Sequence, residues 1–240
     1  MASRSIISIA LPTGSRRSRS SRSRRPLRVA STRIAWRSSG LGVARARIRR
    51  RRPVAKASAR LRLVGGRWRG RRLSVPDAPG LRPTPDRVRE TLFNWLAPLI
   101  PGARCLDVFA GSGALGFEAL SRGAREVVML ERAGPVARHL MASAQALGTD
   151  EAQIIHTDAL RWLEGGGKPF DIVFLDPPFG QDLWSTAIAR LNAGGWLKPG
   201  SRVYLELPAR GILPVLPPTW DLVRDKTAGE VRYSLSVVAG

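Results

Sequence analysis

The chain has 240 residues and carries 40 Lys and Arg against 18 Asp and Glu, a formal charge of +22. That balance excludes an acidic module and points to a polyanionic partner, nucleic acid before anionic membrane, because cationic side chains release condensed counterions from phosphates. No stretch is long and apolar enough to cross a bilayer, and the single cysteine, Cys105, excludes a disulfide within the chain.

The charge is unevenly placed. Residues 1–60 hold seventeen Arg plus Lys56 and no acid, so residues 61–240 retain only +4 of the total. The remainder has an ordinary globular composition, rich enough in apolar residues for one core. Runs such as Arg16–Arg17–Ser18–Arg19–Ser20–Ser21–Arg22 show no hydrophobic period, so residues 1–60 read as a disordered Arg/Ser-rich tail. Three origins fit it: an organelle transit peptide, an RNA-binding arm, or translated sequence upstream of the true start.

Organised sequence begins near Leu61. Leu61–Val64 and Arg71–Val75 about Gly65–Gly66 predict a basic β-hairpin, taken as a unit over residues 61–82. Arg67, Arg69, Arg71 and Arg72 around Trp68 suit a surface that tracks an RNA backbone; a solvated hairpin packed by Trp68 fits as well. Thr84–Pro85–Asp86 then predicts a helix start, with a hydroxyl cap, Pro at the first helical position and an acid in the first turn. Val88, Leu92, Trp95, Leu96 and Leu99 recur at helical spacing on its buried face.

Beyond Pro101, strands at Arg104–Phe109, Glu126–Glu131, Gln153–His156, Asp171–Asp176 and Arg202–Leu207 alternate with helices at Ala114–Ser121, Pro135–Leu147, Ala159–Leu163 and Leu183–Leu191. Two further strands, Trp220–Arg224 and Val231–Val237, close the chain and suggest an antiparallel strand at one edge. Continuous apolar strands separated by amphipathic helices define an α/β fold, a Rossmann-like, mostly parallel seven-stranded sheet covered on both faces, over residues 83–240.

The first of these strands runs into Asp107–Val108–Phe109–Ala110–Gly111–Ser112–Gly113–Ala114–Leu115–Gly116, and Glu131 follows about twenty residues on. Such a loop, with Phe109, Ala110, Gly111 and Gly113 against the ligand and Glu131 accepting from ribose hydroxyls, binds a nucleoside-bearing cofactor. A pyrophosphate avoids a nearby anion. Asp107, just ahead of the glycines, matches instead the ammonium and sulfonium of S-adenosylmethionine. Asp158 is placed to accept from the adenine amine, or to cap the short helix after it.

Asp176–Pro177–Pro178–Phe179 follows the fourth strand. Two prolines stiffen the chain, so the Asp176 carboxylate and the carbonyls of Pro177 and Pro178 become fixed acceptors for an exocyclic NH₂. Orienting that weakly nucleophilic amine, with Phe179 stacked on the base, is the chemistry the loop can supply. His139 and His156 lie in no metal-ligand spacing and read as structural, and Cys105 reads as a buried, unreactive thiol.

Taken together, Val64–Arg71, the block Gly80–Leu81–Arg82–Pro83–Thr84–Pro85–Asp86–Arg87–Val88–Arg89–Glu90–Thr91–Leu92–Phe93–Asn94–Trp95–Leu96, the Asp107–Gly116 loop and Phe174–Phe179 resemble the RsmD family of 16S rRNA guanine-N2 methyltransferases. The resemblance spans Leu61 to the C-terminus, and the Arg82–Trp95 block is its specific part. It implies a class I S-adenosylmethionine-dependent enzyme that methylates guanine N2 in the helix-31 loop of 16S rRNA, on an assembling 30S particle in the bacterial cytoplasm. It also implies that Thr84 and Arg87 lie near the cofactor and that the basic hairpin touches RNA. Neither metal nor membrane is expected from the residues, and a monomer is the expectation for the oligomeric state. Pro85 stands where the family commonly has a second Thr, and Ser143 where an Asn is usual. The tail has no counterpart there. Two other readings remain: a DNA adenine-N6 or cytosine-N4 methyltransferase, and a non-catalytic RNA-binding assembly factor.

Overall fold

The structure, a computed structural model, describes residues 60–76, 78, 81 and 84–240. The expected tail, apart from Arg60, therefore lies outside the described residues, as do Arg82 and Pro83 of the Arg82–Trp95 block.

β1 (Arg60–Arg62) and β2 (Arg72–Ser74) pair antiparallel, with Leu61 opposite Leu73. Their alternation sends Leu61, Leu63, Leu73 and Val75 into the main core while the arginines face out. A single 3₁₀ turn, Gly66–Trp68, links them. Here glycine is obligatory: Gly66 has φ +73°, and a Cβ would stand 1.8 Å from the Ser121 carbonyl oxygen. The hairpin is thus pressed against the helix that Ser121 ends, where the Ser121 hydroxyl donates to Gly65 O at 2.5 Å and accepts from Trp68 N at 3.0 Å.

α1 (Asp86–Leu96) starts one residue later than its capping signal predicts. Pro85 occupies the cap position, with no side-chain cap bond, because the Thr84 hydroxyl is drawn to Asp176 instead. Val88, Leu92, Phe93 and Leu96 fill the buried face; Trp95 is only half-buried. Leu99 lies beyond the helix and is exposed, and Ile100 takes the buried place.

The remaining strands are β3 (Arg104–Asp107), β4 (Glu126–Glu131), β5 (Ala152–His156), β6 (Ile172–Leu175), β7 (Arg202–Pro208), β8 (Trp220–Ala228) and β9 (Val231–Val238). They form one seven-stranded sheet in the order β5-β4-β3-β6-β7-β9-β8. The first five are parallel; β9 runs against both its neighbours. The reversed strand therefore sits one place in from the edge rather than at it. β8, whose middle residues Asp221–Thr227 are all exposed, suits the rim, where charge discourages further pairing.

Crossover helices cover both faces. α2 (Ala114–Ser121) and α3 (Gly134–Leu147) pack with α1 and the hairpin on one face, around Cys105, Met129, Phe174 and Tyr204. α4 (Ala159–Leu163) and α5 (Trp184–Ala193) cover the other, around Leu106, Val128, Val173 and Leu205. β3, β4 and β6 are thereby buried on both sides, which is why they read as unbroken apolar runs.

Candidate active site

From β3 the chain steps outward through β4 and β5, then returns to lay β6 and β7 on β3's other side. At such a reversal the loops leaving adjacent strands diverge, opening a crevice at the carboxyl edge. Asp107 is the last residue of β3, and Asp176 directly follows β6. The two strands are still neighbours there, since Val108 N donates to Phe174 O at 3.1 Å.

Asp107 is buried, and its Oδ2 accepts from Gly116 N at 3.0 Å. Burial pushes its carboxyl up to about 7, against the pull of the Gly116 amide and with the help of the Glu131 charge. Asp176 retains some residue surface at the strand end, but its carboxylate is enclosed. Burial first, then the Glu206 and Asp107 charges, hold it well above the usual carboxylate range, and the Thr84 hydroxyl works the other way. Thr84 Oγ1 donates to Asp176 Oδ2 at 3.4 Å.

A third carboxyl, Glu206 on β7, completes the cluster and escaped the sequence reading. It is 3% exposed; its Oε2 accepts from the Tyr204 hydroxyl at 2.8 Å, and burial raises its pKa. The only hint in sequence is an acid two residues from a tyrosine inside an apolar strand, Val203–Tyr204–Leu205–Glu206–Leu207. Among the described residues no Lys or Arg forms an ion pair with Asp107, Asp176 or Glu206. Three buried carboxyls with no cation among the described residues make an environment that favours a positively charged guest.

The glycine loop closes one side of the crevice. Gly111 N donates to Glu131 Oε2 at 3.0 Å and Ala133 N to Oε1 at 2.6 Å, so Glu131 braces the loop while keeping spare lone pairs. Phe109 is half-buried and Ala110 buried. Gly113 has φ +76°, and a Cβ there would fall 2.6 Å from Phe117 and 2.7 Å from Leu140. Its space is filled by protein packing, whereas a Cβ on Gly111 would meet Leu81 alone within 3.0 Å. Asp158 does cap α4, accepting from Arg161 N at 3.0 Å through Oδ1, and is exposed.

In the Asp176 loop Pro177 is buried and Pro178 exposed, and Phe179 keeps 50% of its surface. The Phe179 ring lies 6.4 Å from that of Trp184, whose Nε1 donates to Glu206 O at 3.0 Å. Arg87 is exposed in the first turn of α1.

The fold thus gathers Thr84, Asp107, Asp176 and Glu206, and separately Gly111 with Glu131. The hairpin arginines are not part of that group. Arg67 pairs with Glu151, just before β5, and lies 4.1 Å over the Trp68 ring; Arg71 donates to Ala146 O at 3.4 Å. Both contacts are at the amino edge of the parallel strands. Arg69 and Arg72 are exposed and form no ion pair among the described residues. His139 and His156 bond the carbonyls of Ser74 and Arg132, and burial drives the Cys105 thiol upward, out of its reactive range. Among the described residues no group of three or more His, Cys, Asp or Glu could hold a metal ion, and no helix is long and apolar enough to cross a membrane.

A parallel sheet with a reversed strand beside its rim, a glycine loop after the central strand and carboxyls flanking the switch point defines a Rossmann-like class I methyltransferase. The family model described as "Conserved hypothetical protein 95" matches residues 61–237. The chain is 47% identical over 185 residues to Ribosomal RNA small subunit methyltransferase D of Escherichia coli K12, covering 77% of this chain and 93% of that protein. It therefore belongs to the family of ribosomal RNA small subunit methyltransferases D. The Haemophilus influenzae protein of the same name is 46% identical over 183 residues, 75% of this chain and 94% of its own length. The solved structure of yhhF from Escherichia coli superposes with a TM-score of 0.71 at 44% identity, covering 75% of this chain and 99% of that one.

Proposed function

We propose that the protein transfers a methyl group from S-adenosylmethionine to the exocyclic N2 of one guanine in 16S rRNA, acting as a monomer in the bacterial cytoplasm on an assembling 30S particle. The observation that carries this is the cluster of Asp107, Asp176 and Glu206 at the switch point, with no cationic partner among the described residues. A dinucleotide would bring more anion to this edge; a sulfonium and an ammonium bring the missing positive charge.

The residues present fit that donor. Asp107 and the loop Phe109–Ala110–Gly111–Ser112–Gly113 would receive its methionine part, Glu131 its ribose hydroxyls and Asp158 its adenine amine, with Thr84 and Arg87 beside them. When bound, the group supplies an electrophilic methyl carbon on sulfur. Asp176 and the carbonyls of Pro177 and Pro178 accept the two amine hydrogens and so aim the nitrogen lone pair. Phe179, half-exposed at the mouth, stacks on an unpaired guanine. As the N–C bond formed, the donor's S–CH₃ bond would break and leave a neutral thioether; the amine would become acidic, and Asp176, already its hydrogen-bond acceptor, would take the proton.

Methyl transfer from tritiated donor to 30S particles, free 16S rRNA and duplex DNA tests the reading. Label confined to N2-methylguanosine of 16S rRNA, mapped by mass spectrometry, is expected. Label only in DNA adenine or cytosine would overturn it, and no label in any substrate would favour a binding factor.

A further inference from the structure

β7 carries two polar side chains, Tyr204 and Glu206, onto the apolar face that packs against α1; the transfer reading counts the Glu206 charge but gives neither side chain a part in the reaction. Their spacing of two residues puts them on one side of the strand, and the Tyr204 hydroxyl donates to Glu206 Oε2 at 2.8 Å. The Thr84 hydroxyl donates to Asp176 Oδ2 at 3.4 Å and also works to lower the Glu206 carboxyl, which follows Leu205, the partner of Leu175, on the neighbouring strand. Four side chains therefore lie in one row, Tyr204, Glu206, Thr84, Asp176.

A threonine hydroxyl has one hydrogen, so between two carboxylates it can serve only one; the other would meet it lone pair to lone pair. A single extra proton, on either carboxyl, satisfies every oxygen in the row. Among the described residues the other groups facing the pair add no positive charge: the Asp107 carboxyl bears on Asp176, and the Tyr233 phenol on Tyr204. An uncompensated dianion in a buried cluster is costly, and such a pair titrates as a unit.

We propose that, without ligand, Asp176 and Glu206 hold one proton between them through Thr84, and that binding of the sulfonium donor expels it. Asp176 then becomes an ionised amine acceptor only once the methyl donor is in place. Glu206 is on this view a positioning residue that acts through Asp176, and the idea rests on the amine-acceptor role given to Asp176 above. Burial and mutual repulsion raise both carboxyls, in keeping with a retained proton, and a cation beside them favours its loss. The order of events follows: a base amine arriving before the donor meets a carboxyl that still carries its proton.

Calorimetry in two buffers of different ionisation enthalpy, near neutral pH, reads the proton directly. Wild-type protein should release a substantial fraction of one proton, up to about one, on binding S-adenosylmethionine, and clearly less with the uncharged thioether S-adenosylhomocysteine. The sulfonium bears on Asp107 as well as on the pair, so the part of the difference that Glu206 carries is what decides. Glu206→Gln, which leaves nothing for Asp176 to share, should cut that difference clearly and move the acid limb of kcat against pH downward by about one unit, tenfold in proton affinity. Tyr204→Phe removes the donor that steadies ionised Glu206 and should move the limb the opposite way. Opposite displacements by two neighbouring variants are not produced by general loosening of the strand. Equal proton release by both ligands in wild type, or a Glu206→Gln protein with the wild-type difference, would overturn the proposal. Should Glu206→Gln fail to melt cooperatively, the Tyr204→Phe limb and the two-ligand comparison in wild type decide it. The underlying reading fails separately: Asp176→Asn methylating at the normal rate would remove the amine acceptor while leaving the proton count to be judged by itself.

Discussion

Arg89 and Glu118, neither with any exposed side-chain surface, meet at 3.4 Å between α1 and α2. Arg89 also donates to Thr84 O at 3.2 Å, to Arg62 O at 2.7 Å and to Asp86 Oδ1 at 2.6 Å. Glu118 receives Val64 N at 2.9 Å and Arg122 Nε at 2.7 Å. One guanidinium fork therefore ties the hairpin, the segment bearing Thr84 and the helix after the glycine loop. Arg89→Met removes the fork and leaves Glu118 buried with Arg122 as its remaining cation. Breaking a buried pair by deleting one partner costs about 3–5 kcal/mol, so urea unfolding should show a loss of that order. A loss within experimental error would mean that the hairpin is not held this way.

Asp176→Ala bears first on the chemistry. Removing an oriented acceptor from the reacting amine should lower the methylation rate by about a hundredfold or more. The affinity for S-adenosylmethionine, measured by calorimetry, should change far less. An unaltered rate would remove Asp176 from the mechanism.

Asp107 should impose a pH dependence of known sign. Its folded-state pKa of about 7 lies above the unfolded carboxylate value, so the native state binds more protons than the unfolded chain between the two. Stability of the ligand-free protein should fall as pH rises from about 4 to about 7 and then level off. Asp107→Asn, which can still accept from Gly116 N, removes this penalty. It should melt at a higher temperature than wild type at pH 8 and at a similar one at pH 4, by roughly 4 kcal/mol at most, while donor binding collapses. The opposite ordering of the two melts would show that Asp107 is ionised at little cost.

Gly113→Ala should destabilise for two reasons that add. The position has φ +76°, and the new Cβ would stand 2.6 Å from the Phe117 ring. Backbone strain of about 1–3 kcal/mol plus overpacking of similar size predicts a drop in melting temperature of at least about four degrees. A wild-type melt would mean that the loop relaxes freely.

The hairpin arginines can be ranked. Arg69 and Arg72 are exposed and unpaired among the described residues, whereas Arg67 is held by Glu151. If the hairpin meets phosphates, Arg69→Ala and Arg72→Ala should each flatten the salt dependence of rRNA binding by nearly one unit in the log–log slope, and Arg67→Ala by less. Three equal slopes would place the RNA elsewhere.

The placing of acids at the strand ends was legible from local pattern. Asp107 before a glycine run, Glu131 about twenty residues on, and Asp176 before two prolines each stand where an apolar strand stops, and strand stops are marked by residues that cannot continue a ladder. The family likeness in the Arg82–Trp95 block was likewise a property of residue order alone. Thr84 shows where that reading fails. Its neighbours spell a helix cap, yet the hydroxyl bonds Asp176, which is 92 residues away, because a buried carboxyl is the stronger claimant.

What residue order determined by itself was the alternation of strands and helices, the sign and location of the charge, and which acids end strands, since all three depend on near neighbours. Only the folded arrangement decided that Glu206 joins Asp176, that Arg89 is wholly buried, and that the hairpin turn lies at the edge opposite the acids. Those outcomes depend on which surfaces meet across the sheet. Burial and Coulomb repulsion act through space, so a carboxyl's environment is known only when the groups facing it are in position.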